Sequence, residues 1–132
     1  MTTASFYRNV MTTSGEESRD AAKRITASVL RALRDRLTPE EANQAAAQLP
    51  RELQEIWAEG EASERRPLKM DREEFYARVT REAGLPSRAR AQWATLGVFA
   101  ALKEQLSPGE AEDVLAQLPK DLKEVWAEAQ IR

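Results

Sequence analysis

Apolar residues recur along this chain at helical spacing, and the clearest run is Ala91, Ala94, Thr95, Val98, Phe99, Leu102 and Leu106. Steps of three and four positions place them on one face, which predicts a long amphipathic helix with Ser87 as its cap. The helix before it opens on a full start signal. Asp71 can cap, Glu74 can close a capping box, and Met70 can staple onto Phe75. That helix should stop at Gly84, because glycine accepts the left-handed turn that ends a helix and Leu85-Pro86 cannot readily continue one. A third helix opens at Ser107-Pro108-x-Glu110, where hydroxyl cap, first-turn proline and reciprocal glutamate agree. It should end at Gln117-Leu118-Pro119, since proline disfavours helix in the residue before it, and a short fourth helix runs on to Trp126. No alternating β-branched run signals a strand.

The same four-helix pattern occurs twice. Phe6-Tyr7-x-x-Val10 returns as Phe75-Tyr76-x-x-Val79, an offset of 69 residues, and the register then holds without a gap. Gly15 meets Gly84, Ser18-Arg19 meets Ser87-Arg88, Leu37-x-Pro39 meets Leu106-x-Pro108, and the long helix has its counterpart over residues 22–37. The endings agree best, with AAQLPRELQEIWAE (46–59) answering LAQLPKDLKEVWAE (115–128). A fixed period means that each copy is one supersecondary unit whose apolar faces its neighbour helps to complete. The chain is thus expected to be all-α, with two copies of a four-helix unit packed into one helical domain: residues 1–60, a charged linker 61–69, and residues 70–132. A single unit of this size would be marginally stable alone, so the copies should pack on each other.

The copies differ where it bears on partners. Trp93, Leu96 and Ala100 stand where the first copy has Arg24, Ala27 and Arg31. These three share a face beside the main stripe, so the second long helix carries apolar surface on two sides and should be central. That second stripe either packs against the first copy or, if exposed, receives a partner protein. In the opposite sense, the first copy has Ala45-Ala46-Ala47 where the second has Val114-Leu115-Ala116, which favours closer helix approach in the first.

Composition narrows the chemistry. With 20 basic and 22 acidic residues in a chain of 132, the formal charge is −2, and both signs are mixed throughout. No overall attraction to nucleic acid or anionic membrane follows. Cysteine and histidine are both absent. Their absence removes disulfides, thiolate nucleophiles and the usual general base, and it excludes the Glu-x-x-His pattern of di-iron bundles. The serines fall mostly at helix starts (Ser18, Ser87, Ser107) or in the linker (Ser63), where a capping role explains them. Acidic residues line the fourth helix of both copies, Glu52, Glu55 and Glu59 echoed by Asp121, Glu124 and Glu128, and read as a solvated face rather than a metal site. Arg24, Arg31, Arg34, Arg65 and Arg66 are the best basic candidates for nucleic acid, but neighbouring Asp35, Glu61 and Glu64 dilute them and no aromatic platform is interleaved. Trp57 and Trp126 read as core lids over each unit. The start, MTTASFYRNV, lacks the basic and apolar regions of a signal peptide, and no stretch approaches a membrane span. A cytoplasmic protein is expected, with no catalytic, metal-binding or cofactor-binding residues.

Phe-Tyr near the start of a unit, the glycine before the long helix, Leu-[Thr/Ser]-Pro-x-Glu-Ala and Ala-Gln-Leu-Pro-x-x-Leu together resemble a bacterial family, the domain of unknown function numbered 2267. The residues that carry it are Phe75, Tyr76, Val79, Gly84, Leu85, Leu106, Pro108, Glu110, Ala111, Gln117, Leu118, Pro119 and Leu122, with first-copy partners from Phe6 to Leu53. The first copy departs at Glu16, where the second has Leu85. The resemblance implies a small cytoplasmic helical protein and brings no activity with it. From the residues themselves, the expected function is a non-enzymatic helical interaction module that binds another protein or itself, with Trp93, Leu96 and Ala100 as the contact. The alternative is a small-molecule or lipid binder that uses an apolar cleft between the copies.

Overall fold

In the computed structural model, which describes residues 2–62 and 64–131, the first copy forms α1 (Thr3–Ser14), α2 (Arg19–Arg36), α3 (Pro39–Ala46) and α4 (Arg51–Ala58). The second forms α5 (Arg72–Ala83), α6 (Arg88–Gln105), α7 (Pro108–Ala116) and α8 (Lys120–Glu128). Local signals explain the boundaries. Asp71 and Glu74 close the capping box of α5 as expected, and Thr2 with Ser5 makes a matching box at α1 that the sequence reading had not marked. Gly15 and Gly84 end their helices in the left-handed conformation, at φ 81° and 66°. Ser18 and Ser87 accept from the third amide of the helices they start. A corner motif repeats as well: the Arg19 guanidinium lies 5.7 Å from the Tyr7 ring centroid, and Arg88 lies 5.0 Å from Tyr76. Each Phe-Tyr helix is thereby tied to the long helix that follows it through a cation–π contact.

The long helices do not cover themselves with their own neighbours. Helix α1 packs far more extensively on α6 than on α2, and α5 packs somewhat more on α2 than on α6. The copies therefore exchange their first helices in reciprocal contacts. Helix α6 is the central element, as its two apolar sides imply: every residue from Thr95 to Leu102 is buried. Phe99 bridges the second copy's aromatics, 5.8 Å from Phe75 and 5.1 Å from Trp126 between ring centroids. Trp57 and Trp126 are both buried, as lids over their units.

One difference between the two reciprocal crossings is at Gly97 and its equivalent. At Gly97 of α6, an added Cβ would lie 3.0 Å from the Val10 carbonyl oxygen and 3.0 Å from the Ser14 Cβ, so α1 rests against the α6 backbone. The first-copy equivalent is Ser28, which is buried and whose hydroxyl has no hydrogen-bond partner. A sealed, unsatisfied hydroxyl costs free energy, and alanine fits the same space with better helix propensity. Ser28→Ala should therefore stabilise the protein by about 1 kcal/mol. Thermal unfolding would show this as a midpoint raised by several degrees, and a lowered midpoint would mean that the hydroxyl is used.

The linker is strapped down rather than loose. Arg65 donates to the Leu37 and Arg34 carbonyl oxygens, at 2.6 and 2.7 Å, and pairs with Glu61. The Leu68 amide bonds the Asp35 carbonyl at 2.8 Å. These donors bond carbonyls at the end of α2, adding to the Leu37 amide that already reaches the Arg34 carbonyl. Ser63, placed in the linker by the sequence, lies outside the described residues.

Candidate functional site at the seam between the copies

Trp93, Leu96 and Ala100 do not form one accessible surface. Leu96 is 6 % exposed and Ala100 is 1 % exposed, whereas Trp93 is 37 % exposed. Of the two alternatives for the stripe, packing against the first copy holds at Leu96 and Ala100. Leu96 and Ala100 are core, because the exchanged α1 and residues 129–131 cover this side of α6. Only Trp93 reaches the surface. It lines two hollows, one of about 280 Å³ with Thr12, Thr13, Ser14 and Gly15, the other of about 60 Å³ with Thr13, Leu96, Glu128, Ala129 and Gln130.

The basic candidates are largely absorbed by the fold. Arg34, 4 % exposed, donates to the Trp57 and Glu59 carbonyls at 2.7 Å each and pairs with Asp35. Its counterpart Lys103 does the same work in the second copy, donating to the Trp126 and Ala129 carbonyls. Arg31 bonds the Ile56 carbonyl and the Glu59 carboxylate. The acidic stripe is likewise partly used, with Asp121 accepting from the Arg72 amide at the start of α5.

Charges also cross the seam. Asp35 accepts from Arg78 at 2.8 Å. Burial pushes the Asp35 carboxyl up, but hydrogen bonds from Arg34 and Arg78, with their charges, more than offset this and hold it below the ordinary range. Arg90 reaches Glu16 at 2.6 Å. That pair accounts for the departure of the first copy from the repeat pattern, since Glu16 replaces the apolar Leu85 where an arginine of the other copy arrives.

The least expected feature lies where α3 meets α7. Thr38 and Ser107 cap these helices through their hydroxyls, as the sequence implies. Glu41 and Glu110 do not reach back to close the boxes. The Thr38 amide instead donates to Gln117 Oε1 at 2.9 Å, and the Ser107 amide donates to Gln48 Oε1 at 2.7 Å. Each copy's Gln-Leu-Pro glutamine thus caps the other copy's helix. With their usual acceptor role taken, Glu41 and Glu110 turn toward each other. One carboxylate oxygen from each, and one from Asp113, lie within 4.8 Å of one another. Glu110 is 7 % exposed, and the Oε2 atoms of both glutamates are sealed without a hydrogen-bond partner. Burial, then the hydrogen bond with Glu41 and its charge, then Asp113, push the Glu110 carboxyl up to about 8. Helical periodicity could not reveal this pairing; the equivalence of the two positions across the repeat was the available signal.

No described helix is long and apolar enough to cross a membrane. No curated protein matches this chain. The model of a family described as "Uncharacterized conserved protein (DUF2267)" matches residues 3–125. The Leu-[Thr/Ser]-Pro-x-Glu-Ala and Ala-Gln-Leu-Pro motifs, which build the reciprocal caps and the buried glutamate pair, lie within that span, and the chain belongs to this family.

Proposed function

We propose that this protein is a non-enzymatic, cytoplasmic interaction module, binding another protein or itself, and that Trp93 is its contact residue. The observation that carries this reading is the exposure of a tryptophan beside the buried run Ala94 to Leu102 of helix α6, at the position where the first copy has Arg24. Tryptophan at a surface hollow is the type of residue that dominates protein contacts, since it brings a large apolar face and one donor. The non-enzymatic reading draws on the absence of histidine and cysteine and on the capping duty of Ser18, Ser87 and Ser107. The alternative, a small-molecule or lipid binder in an apolar cleft between the copies, lacks comparable support. At the centre of the seam, α1 lies directly on the α6 backbone at Gly97.

Trp93→Arg restores the residue type of the first copy at a partly exposed site, so it should leave helicity unchanged. Association, measured by light scattering from micromolar to millimolar concentration and by capture of partners from a bacterial lysate, should weaken about tenfold or more. A native protein that stays monomeric and captures nothing, or a variant that binds as well as the native chain, would remove Trp93 from this role.

A further inference from the structure

We propose that Glu41 and Glu110 share one proton across the seam between the two copies, and that release of this proton loosens the α3–α7 contact, making the pair a pH-responsive latch. The argument begins with hydrogen bonding. Two carboxylates are acceptors only, and both Oε2 atoms are sealed from water with no donor in reach. A buried acceptor without a donor is costly, and two like charges at this separation repel. A single proton on the more buried member, Glu110, relieves both penalties by supplying the donor and removing one charge.

The surroundings agree. From α3 the group faces Glu41, and from its own helix Asp113; α6 and α8, which also pack on α7, bring no charged group that acts on it. Both glutamates sit three residues past their N-caps, where the helix ends favour negative charge. That preference favours one proton shared by the pair over two neutral acids. Asp113 is exposed and stays with solvent.

The sign of the linkage is fixed by the direction of the shift. The native chain retains a proton between the ordinary 4.5 and about 8 that the unfolded chain has released. Stability should therefore fall as pH rises through that window. The sequence makes this readable, since no histidine or cysteine titrates in the same range.

The test is thermal unfolding of the native protein, Glu110→Gln and Glu41→Gln between pH 5.5 and 8.5, with carboxyl-carbon NMR titration of the native chain. The native midpoint should fall by about 5 °C or more across this range. Glu110→Gln removes the titrating group and should hold a nearly constant midpoint, above the native value at pH 8.5, while Glu41→Gln removes the facing charge and supplies a donor and should show a shallower fall than the native chain. NMR should show one glutamate carboxyl titrating far above the rest. The latch is overturned if the native midpoint does not fall or if every glutamate titrates in the ordinary range. It is equally overturned if the folded variants keep the native slope. A midpoint at pH 8.5 that rises with millimolar calcium chloride in the native chain but not in Glu110→Gln would also overturn it, since the carboxylates would then hold a cation in place of the proton.

Discussion

Leu96→Asp should abolish the cooperative thermal transition near neutral pH, or lower its midpoint by tens of degrees, rather than merely separate a folded monomer from a partner. Leu96 is 6 % exposed on the face of α6 that α1 and the C-terminal segment cover. Truncation of a buried leucine alone costs about 2–5 kcal/mol. Aspartate adds a carboxylate in an apolar setting, which must either be desolvated or take up a proton, for several kcal/mol more. A loss of that size is comparable to the whole stability of a domain, roughly 5–15 kcal/mol. Circular dichroism followed through heating measures it, with Leu96→Ala as the milder companion. A Leu96→Asp protein that unfolds at the native temperature would mean that α1 does not cover this face, and would return the stripe to the surface.

Gly97→Leu should cost about 3 kcal/mol or more by overpacking the place where α1 and α6 meet. The neighbours there are the Val10 carbonyl oxygen at 3.0 Å, the Ser14 Cβ at 3.0 Å and the Ser14 amide nitrogen at 3.1 Å. Backbone atoms yield only if the whole of α1 shifts, so a larger side chain forces the exchanged helix away from its seat. Gly97→Ala is the finer test, because two effects compete. Alanine gains about 1 kcal/mol of helix propensity over glycine. Its Cβ nevertheless meets three close neighbours, and the expected result is a net loss of about 1 kcal/mol. Urea unfolding of both variants gives the values, and hydrogen exchange should show α1 losing protection first. If Gly97→Leu were as stable as the native chain, the close crossing would be wrong.

These two predictions concern one contact that residue pattern alone left open. The periodicity around Trp93, Leu96 and Ala100 announced a second apolar side on α6, but an apolar stripe is equally suited to a helix of the same chain and to a foreign protein. The sequence leaves Leu96 and Ala100 as either core or partner contact because what covers them, α1, lies over 80 residues earlier in the chain. Gly97, between them, was passed over. In a sequence it looks like a weak helix residue, and only the position of α1 turns it into a required gap. Trp93 alone kept the exposed character that the contact reading needed.

The α3–α7 seam shows the same division at the level of single hydrogen bonds. Ser107-Pro108-x-Glu110 correctly predicts where a helix begins, because the hydroxyl cap and the proline act on amides within three residues. The glutamate's role depends on whether the cap amide is free. Gln48 from the other copy occupies that amide at Ser107, and Gln117 occupies its equivalent at Thr38. Local sequence cannot register a competitor 59 or 79 positions away.

The sequence by itself determined the helices and the duplication, since caps, prolines and left-handed glycines are short-range devices and the offset of 69 holds throughout. Some ends shifted by a few residues, α2 running Arg19–Arg36 against an expected 22–37 and α3 and α7 ending at Ala46 and Ala116 before their Gln-Leu-Pro. Only the tertiary structure decided that the copies exchange their first helices, that each glutamine caps the other copy, and that Glu41 and Glu110 face each other in the seam. The physical reason lies in the repeat. Two copies with nearly matching apolar faces can complete themselves or each other, and the choice rests on the fit of side chains brought together only by folding.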